Sequence, residues 1–521
     1  GYTSSPVGLF AEGGSYGYRK AQLSSGLVAG AFDYYASFTR TSLDGYREWS
    51  DNQRDRLNLH AGYRFSPTFD ARAFYIFAHV KEHLPGSVDR AALESGSRAA
   101  EPVNVRDRWG RDYELHHLGT QLRAQLGASQ RLELSPYLQF RDIDHPIFEV
   151  IAQVSHDFGA ELRYENTAPL SRLGNRLTIG VQPAWLTMQN RQYVNVRGTH
   201  GAMTRDERDR VTALAAYVED ALSLTPRLAV TAGARYDRST RRVADYFLSN
   251  GDQSDRRAYA PLTPRVGALY SLARGAQLFA NASRTVEPPL LLELTSFGNR
   301  GGFLPLRAQD AWQYELGARR SGATSAWEIA AYDVELRDEL VNRNVPPFPG
   351  ATFTVPTYRN VPRSRHTGLE LGAGRRLATG IFARGSGRDQ LSTHLSYTLS
   401  RNRCVRDSRY EGRELPGAPR HYLSAQLTYL HPSGLSIAPS VELAPSAYYV
   451  NSENTVKNAA WSNASVRAEW NPRHSGIATF VSIRNLGDRI QSQSVQVDNA
   501  TGRYFEPSDR RAFYAGLRWA R

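Results

Sequence analysis

The residues best suited to chemistry in this chain are arginines grouped beside aromatic side chains. "NVRDRWGRD" brings Arg106, Arg108 and Arg111 together around Trp109, and "DRRAY" offers Arg256 and Arg257. "YRNVPRSRH" supplies Tyr358, Arg359, Arg363 and Arg365, and "RNRCVRDSRY" adds Arg401, Arg403, Arg406 and Arg409. A guanidinium presents a planar fork that matches two oxygens at once. Aromatic and apolar neighbours could complete a cradle around such a ligand. The chemistry these groups suit is recognition of an oxygen-rich anion. The plainer reading is that they pair with nearby Asp and Glu, or touch another part of the protein.

Other reactive types give less. His116 and His117 are adjacent, so on a strand they point to opposite sides and cannot converge on a metal. His156 and His366 stand alone, and lone histidines are usually ordinary polar residues. "HDFG" (156–159) echoes a kinase tripeptide but has no glycine-rich phosphate loop, and "GLELGAG" (368–374) is followed by no helix. No spacing singles out a Ser–His pair. The single cysteine, Cys404, excludes an intrachain disulfide and a Cys-based zinc site. No cofactor and no metal site is expected.

The elements that must position these residues are strands. In "RLELSPYLQF", Leu132, Leu134, Pro136, Leu138 and Phe140 share one face, and Arg131, Glu133, Ser135, Tyr137 and Gln139 share the other. "RLAVTAGARY", "HYLSAQLTYL" and "NASVRAEW" repeat this period of two, where a helix would need 3.6. Short turns at 30–32, 66–68, 127–130, 224–227, 273–275, 431–434 and 471–476 alternate with long polar connections, notably 85–110, 286–310, 340–363 and 402–418. Counting between junctions gives about 22 strands running up and down, the pattern of a large closed barrel whose short turns lie on one side and long loops on the other. "WEIAAYDVEL" (327–336) alternates poorly, which predicts a bulge there.

Composition agrees. The 521 residues carry 64 Lys+Arg against 51 Asp+Glu, a net charge of +13, and Lys20, Lys81 and Lys457 are the only lysines. No run of about 18 apolar residues exists, so no transmembrane helix is expected, while a membrane barrel needs only ~10-residue strands of alternating polarity. The 28 Tyr, 20 Phe and 8 Trp suit interfacial girdles. Basic residues are spread through the chain with no recognised module, which argues against nucleic acid. The expected fold is all-β, a transmembrane antiparallel up-and-down barrel. Its closure requires the final strand, with Phe513, Leu517 and Trp519 on one face as the membrane-facing assembly strand, to pair with "VGLFAEGGSY" (7–16).

On these residues the chain resembles the TonB-dependent receptors, plugged 22-stranded outer-membrane importers of iron complexes. The resemblance rests on "AEGGSYGYRKAQLSSG" (11–26), "DYYASFTRTSLDGYRE" (33–48), "SRTVEPPLLLEL" (283–294), "WQYELGARR" (312–320) and "WEIAAYDVELRDEL" (327–340). "RSRHTGLELGA" (363–373), "LPGAPRHYLSAQLTY" (415–429), "VSIRNLGDR" (481–489) and the closing "FYAGLRW" complete it.

The resemblance implies bacterial outer-membrane localisation among lipid, and uptake of a ferric siderophore or similar anionic iron chelate. It also implies energy from a TonB–ExbB–ExbD complex, acting through an N-terminal region. The loop arginines and aromatics above would then be the ligand contacts. The whole of 1–521 is read as the barrel domain, without the family's N-terminal plug and signal peptide. The final residue, Arg521, stands where the family usually ends in an aromatic. Haem importers of the family tend to carry a different stretch where "RTVEPPLLLEL" stands, which favours a siderophore. The competing readings are a passive anion-favouring channel and, more remotely, an outer-membrane enzyme.

Overall fold

Alternation along the chain produces long strands, and their pairing closes on itself. The structure, a computed structural model, describes residues 6–295, 302–346, 355–383, 387–472 and 475–520. Its main sheet has 23 segments, of which Asp255–Tyr259 and Leu262–Ser271 both pair with Leu228–Asp245 and form two halves of one strand. The result is a barrel of 22 antiparallel strands, each paired with its sequence neighbours. The last strand, Ala512–Ala520, pairs with the first, Gly8–Gly14, as closure requires. No described helix is long and apolar enough to cross a membrane.

Directly opposed residues of an antiparallel pair share a face, so one apolar row can be followed around the barrel. Trp519 opposes both Ile477 and Leu9, Leu9 opposes Leu23, Leu23 opposes Phe38, and Phe38 opposes Leu57. Phe513 and Leu517 lie in the same outer set, 54% and 47% exposed. Farther round, Leu138, Phe158 and Trp185 stand side by side, with the last two rings stacked at 5.5 Å. The inner face is polar and internally paired. Arg72 grips the Asp33 carboxylate at 2.7 and 2.9 Å, and Glu161 accepts from Tyr217 (2.6 Å) and Gln182 (2.9 Å).

Short turns at one end and long connections at the other match expectation, with three corrections. The segment 327–336 holds no bulge: its register against Gln309–Ser321 and Val355–Thr379 is unbroken, and the irregular backbone lies just beyond, at Asp338 (φ 56°). The connections placed at 340–363 and 402–418 are shorter, because strands Ser325–Val345, Val355–Thr379 and Gln390–Arg406 run on past the membrane. Strands Gly174–Val196 (23 residues) and Thr199–Ser223 (25 residues) overshoot similarly, joined by a two-residue turn at Arg197 and Gly198. Both turn residues have positive φ (53° and 85°), the twist that a tight hairpin favours. Arg521 lies outside the described residues, as do 296–301 and 347–354 within the predicted long connections.

The two faces should respond oppositely to charge. Leu316 is 66% exposed on the outer face between Ala280 and Ala331. Leu316→Arg is expected to cost about 2–4 kcal/mol in reversible unfolding from lipid vesicles. Glu315→Gln, on the lumen side beside Asn281, is expected to change stability by less than ~1 kcal/mol.

Candidate functional site

The long connections interlock over one mouth of the barrel. Hairpin Ser325–Val345/Val355–Thr379 reaches the 485–511 connection: the Asn344 N–H donates to Asp498 O (3.3 Å) and the Ala500 N–H to Asn344 O (3.2 Å). Asn344 Nδ2 also donates to Val497 O (3.0 Å). The Asp498 carboxylate in turn accepts from the Ser452 N–H (2.6 Å) and Oγ (2.7 Å), tying in the 445–460 connection. From the other side of the mouth, Val88 and Phe505 exchange backbone bonds of 2.8 and 3.0 Å, and Phe505 is buried against Val88 and Leu93. Arg47 then joins the 44–51 connection to the 84–109 connection, donating to Gly86 O and to Ala99 O (2.9 Å).

Between these segments lies a cavity of ≈ 800 Å³. Its walls include Tyr46, Arg47, Glu101, Asn104, Trp109, Asn344, Gln496, Asn499, Arg503 and Glu506. Two buried donors on this wall, Arg47 Nε and Trp109 Nε1, have no acceptor. Burial lowers the Arg47 guanidinium from its ordinary value, and Glu506 and Glu101 oppose that. Arg503 pairs with Glu101 at 2.6 Å. Both nitrogens are covered by surrounding protein and do not face the open chamber.

Of the predicted contacts, Trp109 is the one that lines this chamber. Arg106 ends the helix Pro102–Arg106 and is held by its neighbour Asp107 (2.6 Å). Arg108 is exposed with left-handed backbone (φ 51°) and packs its stem against Gly198. Nine predicted loop residues lie in strands. Arg111, in Gly110–Gln125, is taken by Glu82 (2.9 Å). Arg256 and Arg257, in Asp255–Tyr259, point to opposite faces. Arg257 holds the 288–308 connection through Leu304 O (3.0 Å) and Leu306 O (2.9 Å), and Arg256 is exposed outside.

In Val355–Thr379, Tyr358 packs against the cluster of Val243, Leu294, Phe303 and Leu306, and Arg359 pairs with Asp407 (2.6 Å) over the Tyr410 ring. Arg363 and Arg365 share the outer face with Leu369 and Leu371 and are paired with Glu335 (3.0 Å) and Asp333 (2.8 Å). Arg403 opposes Arg365, and Arg406 opposes Arg363, so these stand on that wall too. His116 and His117 lie on opposite faces of their strand. His116 bonds Tyr75 (2.8 Å) and Glu114 (2.8 Å), and His117 stacks on Tyr137 from the other face. Arg47 was not foreseen. The signal available was an arginine between aromatics in "GYREW" (45–49), on a connection too short to draw notice.

Residues 1–486 match the protein family described as TonB dependent receptor-like, beta-barrel. The chain belongs to that family. Over 246 residues it is 26% identical to the metal-pseudopaline receptor CntO of Pseudomonas aeruginosa, a stretch that covers 46% of this chain and 30% of that protein. In fold it is similar to the ferric citrate transporter FecA in its unliganded form, with TM-score 0.82, 15% identity, and 100% and 79% of the two chains covered. The copper transporter OprC gives TM-score 0.79 at 15% identity, covering 99% and 80%. The ferric yersiniabactin uptake receptor FyuA of Yersinia pestis gives 0.80 at 14%, covering 100% and 81%. At such identities these structures show the barrel fold alone. The fold and family place the chain in the bacterial outer membrane.

Two roof contacts can be tested separately. Asp498→Asn tolerates the left-handed backbone there (φ 51°) but removes the carboxylate that binds Ser452. It is expected to speed hydrogen exchange and proteolysis across 445–460 and 485–511 by about tenfold, with the barrel's thermal transition unmoved. Burial alone would raise the Asp407 carboxyl, but Arg359 and the N–H groups of Arg409 and Tyr410 outweigh it and hold it below the usual range. A depressed carboxylate contributes stability that is complete above its unfolded value, about pH 4, and is lost as pH falls through the lower folded value. Protection of 407–415 against proteolysis is therefore expected to persist at pH 4 and to fail only in stronger acid. In Arg359→Met it is expected to fail already at pH 4.

Proposed function

We propose that this chain is the barrel of a receptor that imports a ferric siderophore or similar anionic iron chelate, energised by the TonB–ExbB–ExbD complex. The single observation that carries this reading is the roofed chamber, lined by aromatic, arginine and amide side chains, at the mouth of a closed barrel. Its ≈ 800 Å³ falls in the range of ligand pockets, about 300–1,000 Å³. Asn344, Gln496, Asn499 and Arg503 line it with polar groups, and Tyr46 and Trp109 line it with aromatic ones. Family membership supports transport as the activity class, and interlocked loops over the mouth speak against a freely conducting pore.

The metal is the open part of the proposal. The relative CntO is a metal-pseudopaline receptor and OprC a copper transporter, so chelates of other metals belong in the test. The aligned stretch spans 30% of CntO, and the assay accordingly uses the full-length protein. Expressed in a strain lacking its own chelate receptors, it is expected to support accumulation of a radiolabelled ferric chelate, abolished when TonB is deleted. Trp109→Ala is expected to weaken chelate binding about tenfold, the loss of one aromatic contact. Accumulation of a nickel, zinc or copper chelate in place of the iron one would move the substrate assignment. Conductance that persists without TonB, with no chelate bound, would overturn the proposal in favour of a passive channel.

A further inference from the structure

On the outer wall of the barrel, five arginines stand together without an acid. Arg210 lies directly opposite Arg242, and Arg242 directly opposite Arg256, forming a row across three neighbouring strands. Arg208 is the next outer-face residue above Arg210, and Arg238 lies four residues below Arg242, opposite Leu214 at the rim of the apolar band, from where its long side chain can snorkel up toward the row. All five are exposed, whereas the alternating residues Glu207, Asp209, Arg241 and Val243 are buried on the inner side. That alternation fixes the five as outward-facing. None of them makes an ion pair with a described carboxylate. The nearby Asp206 is taken by Arg191 (3.4 Å), and Arg208 lies over the Tyr246 ring at 5.8 Å.

Height decides what can reach this row. A strand tilted by ~40° climbs about 2.5 Å of barrel axis per residue, which puts Arg210 about 30 Å from Leu222 at the short-turn end. The apolar band of such barrels is about 25 Å tall, and here Leu214, Ala216, Val218 and Tyr236 occupy it. The row therefore sits just beyond the hydrocarbon, aimed sideways into the headgroup layer of the outer leaflet. Like charges directly opposed on neighbouring strands repel. An anion from outside the chain would relieve that repulsion, and guanidinium forks match phosphate oxygens in pairs. Elsewhere on the outer wall Arg363 and Arg365, which oppose Arg406 and Arg403, have their own acids in Glu335 and Asp333, which the row at Arg210, Arg242 and Arg256 lacks.

We propose that Arg210, Arg242 and Arg256, flanked by Arg208 and Arg238, form a binding site for the phosphate groups of a phosphorylated glycolipid of the outer leaflet. The inference rests on the barrel's orientation in the membrane and not on which chelate it carries. Full-length protein in detergent would be titrated with bis-phosphorylated lipid A, with the same lipid dephosphorylated, and with inorganic phosphate, and followed by native mass spectrometry and thermal transition.

The expected result is retention of the phosphorylated lipid, at least tenfold weaker retention of the dephosphorylated one, and no shift with millimolar inorganic phosphate. Arg210→Gln/Arg242→Gln/Arg256→Gln is expected to lose at least tenfold in affinity for the phosphorylated lipid, and Arg363→Gln/Arg365→Gln to keep it. Equal retention of both lipids by the unaltered protein would overturn the proposal, whatever the variants do. So would unchanged binding by the triple variant, or stabilisation by inorganic phosphate equal to that by lipid.

Discussion

Backbone polarity in hydrocarbon governs this molecule. An unpaired N–H or C=O facing lipid costs several kcal/mol, so a sheet in the membrane must have no edge. The pairing of Gly8–Gly14 with Ala512–Ala520 meets that demand, and it also fixes the phase of every side chain. Trp519 opposite Leu9 sets which residues of the first strand face lipid, and each later pairing transmits the choice. A slip of one residue at any junction would turn an apolar row inward and its charged partner row outward. Closure is consistent here because the parity that leaves Leu9 outside returns, after a full circuit, to leave Trp519 outside.

That same parity explains what the sequence could and could not reveal. Inside the membrane the two faces meet different solvents, so alternation is written into residues such as Leu132, Leu134 and Leu138, and strands there are plain to read. Above the membrane both faces meet water or protein. Polarity then no longer marks where a strand ends, which is why Arg359, Arg363, Arg403 and Arg406 read as loop residues although they lie in strands. Closeness in sequence also suggests closeness in space. On a strand the reverse holds, and Arg256 and Arg257 serve opposite walls. The groupings that do exist come from register, as with Arg210, Arg242 and Arg256, or from loops meeting over the mouth, as with Arg47 and Trp109. Neither leaves a local trace in the chain.

The roof is a different kind of structure from the wall beneath it. Its cohesion comes from few hydrophobic contacts and many hydrogen bonds to backbone, each worth about 0.5–1.5 kcal/mol net. Phe505 with Val88 and Leu93 is one apolar anchor, and Leu294 with Val243, Phe303 and Leu306 is another. Links such as Asn344 to Val497 or Ser452 to Asp498 can be exchanged for water without disturbing the barrel. Local opening is therefore far cheaper than unfolding, a division of stability that would suit the proposed uptake of a chelate.

Strands that overshoot the membrane connect these two regimes. About ten residues suffice to span the hydrocarbon, yet Thr199–Ser223 has 25. The extra length gives one continuous element two unrelated surfaces at the same height. Its inner side carries the buried Glu207 and Asp209 near Val243, which packs against Leu294, Phe303 and Leu306, and Arg205 reaches the Thr295 carbonyl (3.5 Å). Its outer side presents Arg208 and Arg210 to the membrane surface. Because both sets of side chains hang from one rigid ladder, their relative positions are fixed by register alone. A wall of this kind can carry recognition on each face without either set of contacts constraining the other.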